Sequence, residues 1–268
     1  MSRNFLKLMM AAGLVGLGAC KENTSPVASL FSDSTVTADV AASSGDAMAT
    51  MVNAMGVNES SVGMAPGVVS LAMAGLGADY ARSRTCYDST GAVVAGCSPL
   101  SSVRKIVTLA TLNTTRNDTA STLGGATVTF NGGVHRAWSD TLFRNFTAGS
   151  ETSRTHSGLQ TAFDTTTFQR AGVVDTVTRT HDEAATDSVR GVTWNLPRAS
   201  NPFPVSGYIV RIDTVHATFT NATTSVSRTV IKNIKITFPA DAQGNVVLTI
   251  DTKTCNLNLV TRRVTDCH

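Results

Sequence analysis

The chain has 268 residues, 42% hydrophobic and 15% charged, with a formal net charge of +3. Setting aside the two cations of the first seven residues, Arg3 and Lys7, leaves +1. A chain this close to neutral lacks the basic footprint that nucleic-acid binding calls for, and it has no strong attraction to an anionic lipid surface. Charged residues fall well below the usual share of about 25%. Threonine supplies about one residue in seven. Its β-branched side chain suits a pleated, half-solvated surface, so the composition leans towards β structure.

The first element in chain order is an export signal. Arg3 and Lys7 form a positive start, and residues 8–17 carry no charge. Such a run fits the apolar stretch of a signal peptide and is shorter than the ~20 apolar residues a spanning helix needs. Ordinary cleavage after Ala19 would put Leu17 where a small residue is wanted. Leu17-Gly18-Ala19-Cys20 instead resembles the lipobox of bacterial lipoproteins, with Gly18 where that family more often has Ala, Ser or Thr. The resemblance implies that residues 1–19 are removed and that Cys20 carries a diacylglycerol. Its new amine is then usually acylated with a palmitate-type chain. Two or more acyl chains hold a protein stably at a membrane, each buried CH₂ contributing about 0.8 kcal/mol. Lys21, in place of Asp, points within that family to outer-membrane delivery.

Residues 20–35 are polar and without periodicity, and they read as a lipidated, flexible tether. Residues 36–80 form a helical and apolar lead-in. In 36–57, Val40, Ser44, Ala47, Met51, Val52 and Met55 recur near helical spacing, and Gly56 is a plausible stop. The Ala- and Met-rich face predicts a helix lying against a larger domain. Residues 62–78 are apolar and Gly-rich, which fits either a second helix or a buried loop.

Residues 84–268 read as one antiparallel β domain, a sandwich or a curled, partly closed sheet. The predicted strands are 84–88, 93–97, 103–113, 126–131, 134–147, 160–169, 172–181, 187–196, 205–220, 225–238, 245–252 and 255–265. Alternation is clearest in 226–238, where Val226, Val230, Ile234, Ile236 and Phe238 share a face. Val246, Leu248 and Ile250 continue that face after a turn. Trp138 with Leu142 and Val192 with Trp194 mark further core-facing positions. In 205–220, Tyr208, Val210 and Ile212 fall on one parity and Val215, Ala217 and Phe219 on the other. A bulge near Asp213-Thr214 would bring both sets onto one core.

Four cysteines follow Cys20, and four allow three pairings. Their spacing favours Cys86–Cys97 and Cys255–Cys267, each stapling a hairpin in an oxidising compartment. The first hairpin would turn at Gly91-Ala92. The second would set Leu257 opposite Thr265 and turn near residues 260–262. Neither pair has the spacing of a zinc site.

No catalytic constellation is evident. There is no H-E-x-x-H, no G-x-S-x-G elbow and no phosphate loop. Gly124-Gly125 and Gly132-Gly133 read as turns between short strands. His181-Asp182-Glu183 is the densest titratable cluster, and it reads as a solvated loop between two strands. His216 reads as an exposed strand residue. Asp164 and Asp175 could be imagined as a carboxylate pair, but nothing sets their separation. Trp138 and Trp194 read as core. The sequon-like triplet at Asn221 carries no evident meaning here.

The expectation is therefore a membrane-anchored envelope lipoprotein, without enzymatic activity, cofactor or metal, that acts as a structural or binding module. Its partners would be the membrane, through the N-terminal lipid, and an envelope protein or small hydrophobic ligand, with no nucleic acid. One alternative is a lipid carrier with an apolar cavity lined by residues such as Phe219, Val230 and Ile234. Another is a hydrolase whose site is assembled from scattered residues, His181 and Glu183 among them.

Overall fold

A computed structural model describes residues 33–55, 79–121, 127–171, 176–220 and 224–268. The segments read as signal peptide and tether, Cys20, and residues 62–78, 124–125, 175 and 221–223 lie outside them. Helix α1 spans Asp33–Met55. Ten strands follow: β1 Asp79–Tyr87, β2 Lys105–Ser121, β3 Thr127–Thr147, β4 Ser150–Ala171, β5 Thr176–Asn195, β6 Ser206–Thr220, β7 Ser225–Thr237, β8 Asn245–Ile250, β9 Lys253–Asn258 and β10 Val264–Thr265. They form one open sheet in the order β1 to β10, with each strand antiparallel to the next. The predicted class, mainly antiparallel β with a short helix before it, is what the chain adopts; of the two architectures expected it is the open, curled sheet, with no second sheet.

The sheet curls around the helix. Successive helical residues point about 100° apart. Ser43 hydrogen-bonds Glu183 on β5, and Ser44 hydrogen-bonds Asp213 on β6. Gly45 packs on Val264, Leu257 and Leu248 of β10, β9 and β8. Asp46 meets Arg262, just before β10. Four consecutive residues thus meet sheet in four directions, and α1 is buried on nearly all sides. Val40, Met48, Val52 and Met55 join Val189, Trp194, Ile209, Ile236 and Leu248 in one core. The expected single apolar face gives way to burial all round, because the sheet supplies polar partners for the polar side of the helix.

Three corrections concern the strands. Strand 93–97 does not form: Val93 makes a single bridge to Tyr87, and Ala95–Cys97 is a 3-10 turn. Positive φ at Gly96 and Cys97 takes the backbone out of the extended region there. Segments 126–131 and 134–147 are one strand, with Gly132-Gly133 inside it at a register shift between Phe130 and Val134. Segments 172–181 and 187–196 also merge, into β5.

The bulge expected at Asp213-Thr214 is absent. β6 alternates without interruption, with Ile209, Arg211, Asp213, Val215, Ala217 and Phe219 buried. Tyr208 and Ile212 face outward, 39% and 48% exposed. The apolar set lost its inward place because Arg211 and Asp213 neutralise each other inside. A register shift occurs one strand earlier, between Arg190 and Thr193 of β5, where Gly191 has φ +57°. It moves the inward parity from Val189 to Val192 and Trp194.

Both local disulfides form, Cys86–Cys97 and Cys255–Cys267. The turn after β1 is closed by Asp88, whose carboxylate accepts from the Thr90 hydroxyl and backbone and from the Ala92 N–H. In the second loop Val264, not Thr265, lies opposite Leu257. Asn258 tightens that turn by accepting from the N–H groups of Val260 and Thr261, which shortens it by one residue.

Candidate functional site

The inner face of β5 carries Arg179, His181, Glu183 and Asp187 at every second or fourth position, so all four point at α1. The register sets Asp187 directly opposite Arg211, and Asp213 lies two residues further on. Each is at most 3% exposed. Charges are expensive to bury unless paired and hydrogen-bonded. Here they are paired.

Arg179 donates to both carboxylate oxygens of Asp39 on α1, at 2.5 and 2.8 Å. Ser43 donates to Glu183 at 2.7 Å, and Ser44 to Asp213 at 2.9 Å. Arg211 bridges Asp187 and Asp213, at 3.3 Å each. Gln160 on β4 donates to Asp187. His181 lies 3.7 Å from Asp39 and 3.8 Å from Glu183. Burial pushes its imidazole pKa down to about 4, against the opposing pull of Asp39 and with help from Arg179, so the ring is neutral at pH 7. Burial pushes the Asp187 carboxyl upward, and Arg211 opposes it.

This corrects the reading of His181-Asp182-Glu183 as a solvated loop. The triplet sits in the middle of β5, with His181 and Glu183 among the most deeply buried residues of the chain. The residues converge, but they do so under the helix and not in a cleft. The Ser43 hydroxyl is engaged by Glu183, so it is not held by an imidazole as an acyl-transfer nucleophile requires. Among the described residues, no group of three or more His, Cys, Asp or Glu side chains is placed to hold a metal. What the arrangement can do chemically is lock a helix into a sheet.

Trp138 and Trp194 are buried as expected, and His216 is exposed. Ile234 lies in the core shared with α1, Val230 packs against it, and Phe219 is fully covered. The place expected for an apolar cavity is thus filled around the helix. A different apolar feature lies on the outer face: a groove of about 580 Å³ across β1–β4, lined by Ala81, Leu109, Ala137 and Leu159. Leu109 and Leu159 are half exposed there.

A second ionic group sits at the other end of the sheet, beyond Trp194. Glu151 takes two hydrogen bonds from Arg144 and two from Arg154. Burial opposes ionisation of Glu151, but the Arg154 and Arg144 hydrogen bonds outweigh it and hold the pKa at about 2.

Sequence reading missed Asp39, Ser43, Ser44, Arg179, Asp187 and Arg211. A usable signal existed: Arg179, His181, Glu183 and Asp187 keep one parity. Threonines on the opposite parity of β5 made both faces look polar, so the pattern did not name the inner one.

The fold and the network together define a class: an open antiparallel meander wrapped on its own N-terminal helix, with a sealed ionic core. Comparison with family models, curated proteins and solved structures finds no match.

Proposed function

We propose that the chain is a lipid-anchored protein of a bacterial cell envelope, with residues 1–19 as a cleaved signal peptide and Cys20 as the lipidated terminus. In this reading it is a non-enzymatic structural or binding module at the outer membrane. The observation that carries the proposal is Leu17-Gly18-Ala19-Cys20 behind a short, uncharged run. Cys86, Cys97, Cys255 and Cys267 pair among themselves, which leaves Cys20 as the one cysteine of the sequence outside a local bridge. The bridges fit an oxidising compartment. No described helix is long and apolar enough to cross a membrane, so lipid would do the anchoring. The sealing of His181 and Glu183 beneath α1 supports a role without catalysis. Mass spectrometry of the mature N-terminus is the test. Acylated Cys20 is expected, and an exported chain with an unmodified Cys20, or one cut elsewhere, would sink the reading.

The outer apolar groove favours a second reading, carriage of a hydrophobic ligand. Displacement of a fluorescent fatty acid, weakened by Leu109→Asp, is its test. No uptake at micromolar protein removes it.

A further inference from the structure

We propose that the groove between Arg154 of β4 and the loop after β5 is an oxyanion-binding site, in which Arg198 and Arg154 hold a phosphate group. The groove encloses about 680 Å³ and is lined by Glu151, Arg154, Leu196, Pro197, Arg198 and Pro202.

Three observations carry this. The first is charge. Glu151 is the single carboxylate of the groove lining, and it already serves two guanidiniums, those of Arg144 and Arg154. No carboxylate pairs with Arg198 among the described residues. Arg198 and Arg154 therefore leave the groove with uncompensated positive charge.

The second is preorganisation. The Arg198 guanidinium lies over Trp194, 5.1 Å from a ring centroid, and donates to the Pro202 carbonyl at 2.7 Å. Its loop is tied down on both sides. Leu196 donates to Thr152, and the Pro197 carbonyl accepts from the backbones of Ser200 and Asn201 and from the Asn201 side chain. A fixed guanidinium fork is the geometry that recognises phosphate oxygens, because little rotamer freedom is lost on binding.

The third is electrostatic cost. Arg198 is half buried. Burial, with the like charge of Arg154, lowers its pKa to about 10. A bound dianion relieves both effects. Arginines placed in a groove at such a cost, with no acid to answer them, mark a site that is completed by a ligand.

The groove opens far from the start of α1. Asp39 near that start pairs with Arg179, and β5 runs roughly 50 Å from there to Trp194. If the chain is tethered through its N-terminus, the groove faces away from the tether, which favours a soluble phosphate source over a headgroup of the anchoring membrane. That last step rests on the proposed anchor; the site itself does not.

The test is titration of the whole chain, in neutral detergent and at constant ionic strength. Inorganic phosphate is one probe, and glycerol 3-phosphate stands for a lipid headgroup. Saturable binding near the millimolar range is expected, weakened at least about ten-fold in Arg198→Ala and only partly in Arg198→Lys. Lys235→Ala, on the outer face beside Tyr208, should bind as the parent does. Tighter binding of glycerol 3-phosphate assigns the headgroup as source, and tighter phosphate binding the soluble one. A response no larger than that to chloride, or one unchanged in a folded Arg198→Ala chain, overturns the site. Cys20→Ser separates the two proposals: it abolishes the anchor and must leave phosphate binding intact.

Discussion

Asp39 and Arg179 lie 140 residues apart in the chain and meet as a two-point ion pair, their side chains 5% and 4% exposed. The pair joins the first part of α1 to a strand in the middle of the sheet. Breaking one side of a buried pair strands a charge, at a cost of about 3–5 kcal/mol, whereas replacing both sides with apolar groups is often neutral. Asp39→Leu and Arg179→Met should each lower the urea midpoint sharply, and the double variant should recover most of the loss. Additive single losses would show that the pair is not coupled.

Acid should destabilise the protein in two windows. His181 has its folded pKa lowered from 6.5 to about 4. Its contribution is full above the unfolded value and is lost as pH falls through the folded one, an effect of about 3 kcal/mol between pH 6.5 and 4. Asp187, raised, runs the other way and gains as pH falls. The carboxyl of Glu151 is held at about 2, so its contribution is lost between pH 4.5 and 2. Histidine-ring NMR checks the first window directly: the His181 ring should stay neutral at pH 5.5. A midpoint near 6.5 would refute its placement under α1.

Gly45→Ala should destabilise. In an exposed helix this change stabilises by about 1 kcal/mol. Here the added methyl would sit 2.4 Å from Cγ2 of Val264. Overpacking a core typically costs about 1–3 kcal/mol, so the clash wins. Val264→Ala in the same chain should restore stability, as read by thermal unfolding. A stabilised single variant would place α1 further from β10.

Replacing Cys86 and Cys97 by serine, or Cys255 and Cys267, should each cost about 3 kcal/mol, since the two loops are of similar size, 11 and 12 residues in sequence separation. Denaturant titration measures the loss. Non-reducing peptide maps check the connectivity, and a Cys86–Cys255 peptide would contradict it.

Much of the sheet was legible because period-2 alternation survives wherever apolar and polar faces differ. Val246, Leu248 and Ile250 on β8, and Ile234 and Ile236 on β7, were assigned inward and are buried. Cysteine spacing was likewise enough to pair all four, because each pair needs only a short local loop. The reading failed where inward residues are charged. Arg211 and Asp213 broke the apolar rule on β6, and His181 and Glu183 were taken for a loop on β5. No local pattern separates a polar residue that faces water from one that faces a buried partner.

The sequence by itself determined the strand-rich class, the helix before it, both disulfides and the motif at Cys20, because each depends on residues close together in the chain. Only the tertiary structure decided what the interior is made of. Asp39 finds Arg179, Ser43 finds Glu183 and Ser44 finds Asp213 only once the sheet has curled around α1. Whether a buried charge is tolerated depends on the partner that meets it, and here the partners are brought together by folding over separations of 140 to 169 residues.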